Sequence, residues 1–266
     1  MLNLKWKGMV CKMSSPKIDR TGEVGVNNDG ERMTIVRYGN TMDIDIQFDD
    51  GVIVEHKQYG NFLKGNVKNP MTPIAFGVGC IGIGKFKSRD KNGKPTKCYN
   101  AWHNMLKRCY YFKYQEKNTT YENCTVCKEW WNFQVFAEWY YSHFYELENE
   151  IMNLDKDILL KGNKIYSPET CVFVPNSINV LFTKRDKARG KYPIGVCKMG
   201  NKFIAYLCKG NGKQISLGYF NTPNEAFLAY KQAKEEYIKE VANEYKGKIP
   251  HELYDALMNY EVEIDD

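Results

Sequence analysis

Histidine is scarce in this 266-residue chain: there are four, and none lies between His143 and His251. A catalytic unit folded from the intervening residues has no imidazole of its own to act as a base. No apolar run reaches the roughly 18 residues that a membrane span needs, so no membrane partner is expected. The N-terminal MLNLKWKGMVCKMSSPK is basic but has no apolar core of a secretory signal, which points to the cytoplasm. The nine cysteines are odd in number and irregularly spaced, a poor disulfide framework and a better fit to a reducing compartment. Gly77, Gly79 and Gly82 satisfy G-x-G-x-x-G, but a Lys/Gly/Pro-rich loop follows where a dinucleotide site needs a helix. No G-K-[ST] follows either, which excludes a P-loop.

What is present is enough apolar material to fold. Hydrophobic residues make up 43% and aromatics 14%, which rules out wholesale disorder. The net charge of +6 permits nucleic-acid binding, so its distribution has to carry that argument. The pattern reads as an α+β multi-domain protein. Residues 18–72 hold five short β-rich runs, VGVNNDG, ERMTIVRYG, DIDIQFDDG, VIVEHKQYG and FLKGNVKNP, each ended by Gly, Asn or Pro. Ile44, Ile46 and Phe48 alternate with Asp43, Asp45 and Gln47 as in a half-buried strand. These runs resemble a small β-barrel of the Tudor or KOW type. A passive accessory or protein-contact module is the other reading, with His56 an ordinary surface histidine.

Residues 73–185 carry the chemistry. In YNAWHNMLKRCYYFKY, residues 99–114, Tyr99, Trp102, Leu106, Cys109 and Tyr110 share a helical face opposite Asn104, Lys107, Arg108 and Lys113. His103 sits beside that face and is the leading imidazole if a base comes from elsewhere in the fold. Residues 129–148 form a second, strongly aromatic helix whose stripe reads as core. Then comes LDKDILLKGNKIYSPETCVFVPNSINVLF, residues 154–182. A Gly162-Asn163 turn separates two apolar runs, and a helix follows Pro175. A β-hairpin running into a helix can bring Asp155 and Asn179 together as oxygen ligands for a hard divalent cation such as magnesium or manganese. The bland alternative is a solvated DKD turn with asparagine as turn former.

At these residues the chain resembles the HNH endonucleases, whose catalytic unit is a ββα-metal fold, and residues 75–185 resemble phage-encoded members. The resemblance implies Asp155 as the first metal ligand and Asn179 as the helix ligand. The family's general-base histidine is replaced by Lys156, and its inter-strand asparagine falls at Thr170. A lysine ammonium is a poor base, and flanking carboxylates hold it charged. Lys156 is expected to stabilise developing phosphate charge, with Asp157 the nearest alternative proton acceptor and Asn163 and Asn176 in support. Many HNH proteins carry a zinc on two C-x-x-C pairs. Here only Cys124-x-x-Cys127 exists, so a structural zinc would need Cys109 and Cys171. Buried free thiols are the alternative.

Residues 183–192, TKRDKARGKY, form a basic linker suited to DNA phosphates, with Lys184, Arg185, Lys187, Arg189 and Lys191. Residues 190–245 then read as three short strands and a helix. Thr222 is its N-cap, Pro223 its first residue and Glu225 completes a capping box. This resembles the ethylene-response-factor (Apetala-two) DNA-binding domain, with its Ala-rich helix behind a sheet that enters the major groove. The resemblance puts Cys197, Met199, Lys202, Tyr206, Cys208, Gln214 and Ser216 on the groove face, with Lys198, Lys202, Lys209 and Lys213 docking double-stranded DNA. The arginines that read guanine in the plant domains are absent, so their target does not transfer. Residues 246–266 add a short helix and an acidic tail that docks or hangs free. The resemblance as a whole implies a phage homing-type, metal-dependent DNA endonuclease acting in the host cytoplasm. The rival is an inactive nuclease scaffold serving as a DNA-binding regulator or anti-defence factor. A third reading, a protein-interaction module, predicts no DNA binding by residues 183–243.

Overall fold

The computed structural model describes residues 18–183, 191–209, 213–264 and 266. The chain divides at Thr72/Pro73 into two compact units. It is mixed α and β, with several small sheets and seven α-helices among the described residues. No described helix is long and apolar enough to cross a membrane.

The first unit is an antiparallel meander of four strands, β1 (Val24–Val26), β2 (Arg32–Asn40), β3 (Asp43–Phe48) and β4 (Ile53–Lys57), in sequential order. Alternation puts Met33 and Ile35 of β2 and Ile44, Ile46 and Phe48 of β3 on one buried face. The expected fifth strand is instead helix α1 (Tyr59–Leu63) and coil. Tyr59 and Phe62, three apart, lie on one side of a helical turn, and both bury against the sheet. The sheet therefore stays open, with β1 and β4 as its edges, and the expected barrel is not formed.

The second unit starts with a loop and then helix α2 (Lys97–Tyr110), N-capped by Thr96, whose hydroxyl accepts from the Tyr99 amide. A short helix α3 (Phe112–Gln115) and strand β5 (Thr125–Val126) lead to helix α4 (Phe133–His143), capped by Asn132. The aromatic stripe of α4 is core, as read: Phe133, Phe136, Ala137 and Tyr140 pack on Trp102, Met105 and Leu106 of α2. The glycine run serves this packing. A Cβ at Gly79 would lie 2.4 Å from Leu106 and 2.8 Å from Trp102.

Strand β6 (Met152–Asp155) follows, then β7 (Ile165–Tyr166), β8 (Val172–Pro175) and helix α5 (Asn176–Asn179), extended by a 3₁₀ turn at Val180–Phe182. A ββα unit is formed, but its partners are β6 and β8, from Met152↔Pro175 to Asp155↔Val172. β7 pairs in parallel with β5. The Gly162-Asn163 turn thus lies inside a long loop, not at the tip of the expected hairpin. The chain leaves the β6–β8 ladder at Asp155, whose side chain accepts from the amides of Asp157 and Ile158.

β9 (Val196–Met199), β10 (Lys202–Lys209) and β11 (Lys213–Phe220) form an antiparallel sheet in the order β11-β10-β9. Helix α6 (Pro223–Glu244) packs on one face of it, with the expected Thr222/Glu225 capping box in place. Gly195, at φ 76°, lets Tyr230 lie where a Cβ would be 2.1 Å from its ring. Helix α7 (His251–Met258) packs on α6, and the tail docks: the Val262 carbonyl accepts from Lys231 Nζ at 2.8 Å.

The second unit contains two cores, and β8 is the seam between them. Phe173 belongs to the α2–α4 core. Val172 and Val174 join Ile178, Ala205, Leu207, Ala226 and Leu253 in the other. The ββα unit and the sheet–helix module therefore share a hydrophobic core, although the sequence suggested a boundary near residue 185.

Candidate metal centre and nucleic-acid interface

Alternation along β6 sends Asp155 to the side of the ribbon that carries Val172 and Val174, where Ile178 of α5 is also buried. The Asp155 carboxylate accepts from the amides of Asp157 at 2.9 Å and Ile158 at 2.8 Å. Burial, and then the charge of Asp157, push its pKa up to about 6. Asn179, one residue beyond Ile178, is half-buried, and its side chain has no hydrogen bond among the described residues. These are hard oxygen donors, and a cation beside Asp155 would relieve its repulsion with Asp157. The donor chemistry fits magnesium or manganese.

The base half differs. Lys156 is buried at 5% exposure, and its ammonium donates to the Asn163 carbonyl and to Asp157 Oδ2, both at 3.0 Å. Asn163 answers by donating to the Lys156 carbonyl at 2.7 Å. This reciprocal pair closes the loop after β6, so Lys156 acts inward as a loop fastener. Asp157 is half-exposed and committed to that ammonium. His103 lies elsewhere, packed against Phe76 at 4.8 Å and Tyr99 at 5.8 Å between ring centroids. Burial, and secondly Lys107, lower its pKa. Asn176 hydrogen-bonds Asn153, and Thr170 caps back onto the Ile165 carbonyl.

Of Cys109, Cys124, Cys127 and Cys171, no three have their sulfurs within 4.8 Å of one another. Burial pushes the thiols of Cys109 and Cys171 up to about 12 and that of Cys127 to about 11, as for structural cysteines. Among the described residues one other group gathers ligand atoms, Asp43, Asp45 and His56 in the first unit. Arg37 already holds both carboxylates, with 2.8 Å to Asp43 Oδ1 and 2.7 Å to Asp45 Oδ1. Guanidinium hydrogen bonds, with that of His56, hold the Asp43 carboxyl far below its usual range. This network pins β2, β3 and the end of β4 together, and an ion there would have to displace the guanidinium.

On the three-stranded sheet the face away from α6 is open. Cys197, Met199, Lys202, Cys208, Gln214 and Ser216 are exposed on it, Tyr206 is half-buried, and Tyr219 reaches across to Met199. Two expected docking lysines are not there. Lys209 turns to the helix side, bonding Glu240 at 2.7 Å and lying over the Tyr237 ring. Lys198 pairs with Phe203, whose ring packs in the shared core, so by alternation it too leaves the open face, though exposed. Lys191 is exposed. Lys184, Arg185, Lys187 and Arg189 lie outside the described residues, as does the side chain of Lys213.

Arg108, on the polar face of α2 by periodicity, is half-buried against Tyr166 and Tyr121 from later segments of the chain. Comparison with known protein families, curated proteins and solved structures found no match.

Proposed function

We propose that this chain binds double-stranded DNA through the open face of the β9–β11 sheet and the basic residues preceding it, and that its ββα unit binds a divalent cation without cutting. The observation that carries the reading is the face itself: a three-stranded ribbon with Lys202, Tyr206, Gln214 and Ser216 free of the helix that backs it. A two- or three-stranded ribbon fits the major groove, and these side chains offer hydrogen bonds to base edges and phosphates. The inward-turned Lys156 and the packing of His103 against Phe76 and Tyr99 favour binding over cleavage. The second reading, a phage homing-type endonuclease, is favoured by Asp155 and α5 occupying the same side of the ribbon. There the cation would stabilise charge on the phosphodiester, and Asp155 and Asn179 would hold it.

The test uses the whole chain, because the shared core forbids excising residues 183–243. Duplex binding is followed by anisotropy across a salt series. Lys202→Ala and a Lys184/Arg185/Lys187/Arg189→Gln variant should each weaken binding, the latter lowering the salt slope by about one per lost phosphate contact. Unchanged affinity in both variants rejects the interface. Supercoiled-plasmid cutting in magnesium or manganese, lost in Asp155→Ala and Asn179→Ala, would establish the endonuclease instead.

A further inference from the structure

A cleft of about 490 Å³ lies between α2 and the residues leading into β6. Its volume lies in the range of small-ligand sites. One wall is the polar stripe of α2, Asn100, Asn104 and Arg108, spaced by four and so stacked on one helix face. The other wall is residues 151–154, lining it consecutively along the edge of β6 that no strand pairs. Phe144, half-buried, supplies aromatic surface, backed by the core residue Phe173. Asp155 is not among the lining residues.

The charges in the cleft are unevenly placed. Lys97 and Glu146 neutralise each other at 2.6 Å at the end where α2 begins. Glu150, at the same end of its wall, is held by the hydroxyls of Ser177 and Tyr245; burial opposes its ionisation, but these bonds outweigh it. At the far end is Arg108, half-buried, with no carboxylate within 4.0 Å of its guanidinium among the described residues. Its hydrogen bonds are long, 3.5 Å to the Leu154 carbonyl and 3.4 Å to the Tyr166 hydroxyl, with the Tyr121 ring at 5.4 Å. A half-buried guanidinium without a carboxylate has donors left to offer, and a fork of this kind matches a phosphate. From Glu150 to Leu154 the wall runs about 13 Å in extended chain. The cleft thus has a cationic end, an aromatic middle and an acceptor-rich end.

We infer that this cleft binds a nucleoside monophosphate, with its phosphate on Arg108, its base against the aromatic wall, and Asn100, Asn104 and Asn153 bonding sugar and base. Amide side chains both donate and accept, and aromatic surface takes the base face. The nucleotide can be free or a unit of a DNA single strand; the chemistry is shared. The inference does not rest on duplex binding by the sheet.

The experiment titrates the full chain with each of the four deoxynucleoside monophosphates, with the nucleosides, with inorganic phosphate and with a short single-stranded oligonucleotide, by calorimetry. Saturable binding of a monophosphate, at least about tenfold tighter than its nucleoside and than phosphate, is expected. Arg108→Gln should lower that affinity about tenfold or more, and Arg108→Lys should not restore it, because the fork is lost. If Arg108→Gln fails to fold, Asn104→Leu, at an exposed position, removes a lining amide and should weaken binding several-fold. Oligonucleotide binding that shares these losses assigns the strand as a source; loss confined to monophosphates assigns the free nucleotide. No binding at millimolar monophosphate, phosphate binding as tightly, or affinity indifferent to both variants overturns the inference. Duplex affinity should be unchanged in Asn104→Leu, which separates this result from a failure of the sheet interface.

Discussion

Lys156 sits where the HNH resemblance expects an imidazole, so substituting it tests whether this position ever faced a reacting group. In Lys156→Met the ammonium and both of its hydrogen bonds disappear. A bond to a buried charged group contributes about 1.5–3 kcal/mol, which applies to the Asn163 carbonyl. Asp157 is 46% exposed, so its share is reduced to about 1 kcal/mol or less. Removing the desolvated ammonium returns part of this, leaving a net loss of about 1–3 kcal/mol. For a unit of this size that is a fall of roughly 3–10 °C in the thermal midpoint. Lys156→His should lose stability similarly, since imidazole is too short to bond Asn163 as lysine does, and should gain no metal-dependent plasmid cutting. A Lys156→His protein with an unshifted midpoint and new cutting activity would refute the inward role of this side chain.

The other predictions concern packing and charge. His103 should titrate below the ordinary histidine range by NMR, and Lys107→Gln should move it up; because the folded pKa is depressed, its stability contribution is full above about pH 6.5 and lost as pH falls through the folded pKa. A normal or raised pKa would contradict its burial. Ile178→Ala should destabilise by about 2–5 kcal/mol. Tryptophan fluorescence, chiefly from the α2–α4 core, and the NMR signals of α6 should still melt together; split midpoints would mean the two modules are independent. Gly79→Ala should lose about 1–3 kcal/mol by overpacking against Leu106 and Trp102, and an unshifted midpoint would count against the close approach.

Much of the local structure was legible because it follows from short-range rules. The Thr222 cap, the helix behind it and the three strands before it depend on residues a few positions apart. So does the aromatic stripe of α4, whose periodicity assigns it to core. What the sequence concealed depends on long-range partners. Nothing local says that β6 pairs with β8 across a long loop, or that β7 turns away to β5. Tyr59 and Phe62 lie in a strand-rich stretch, and a helical spacing that covers a single turn is too short to show there. Lys156 and Lys209 looked like exposed charge, and only the fold shows that Asn163 and Glu240 claim them. Arg108 is the reverse case: an apparently ordinary surface arginine is half-buried against tyrosines from later segments.

β8 has a consequence for how the polypeptide can be divided. Its alternate residues supply both cores, so the basic stretch between residues 183 and 192 joins two pieces already fastened through Val172, Val174 and Ile178. A break in that stretch should leave two fragments that each expose apolar surface and therefore find each other again. The chain is a candidate for reconstitution from halves expressed separately, and neither half should survive transplantation as a free-standing cassette.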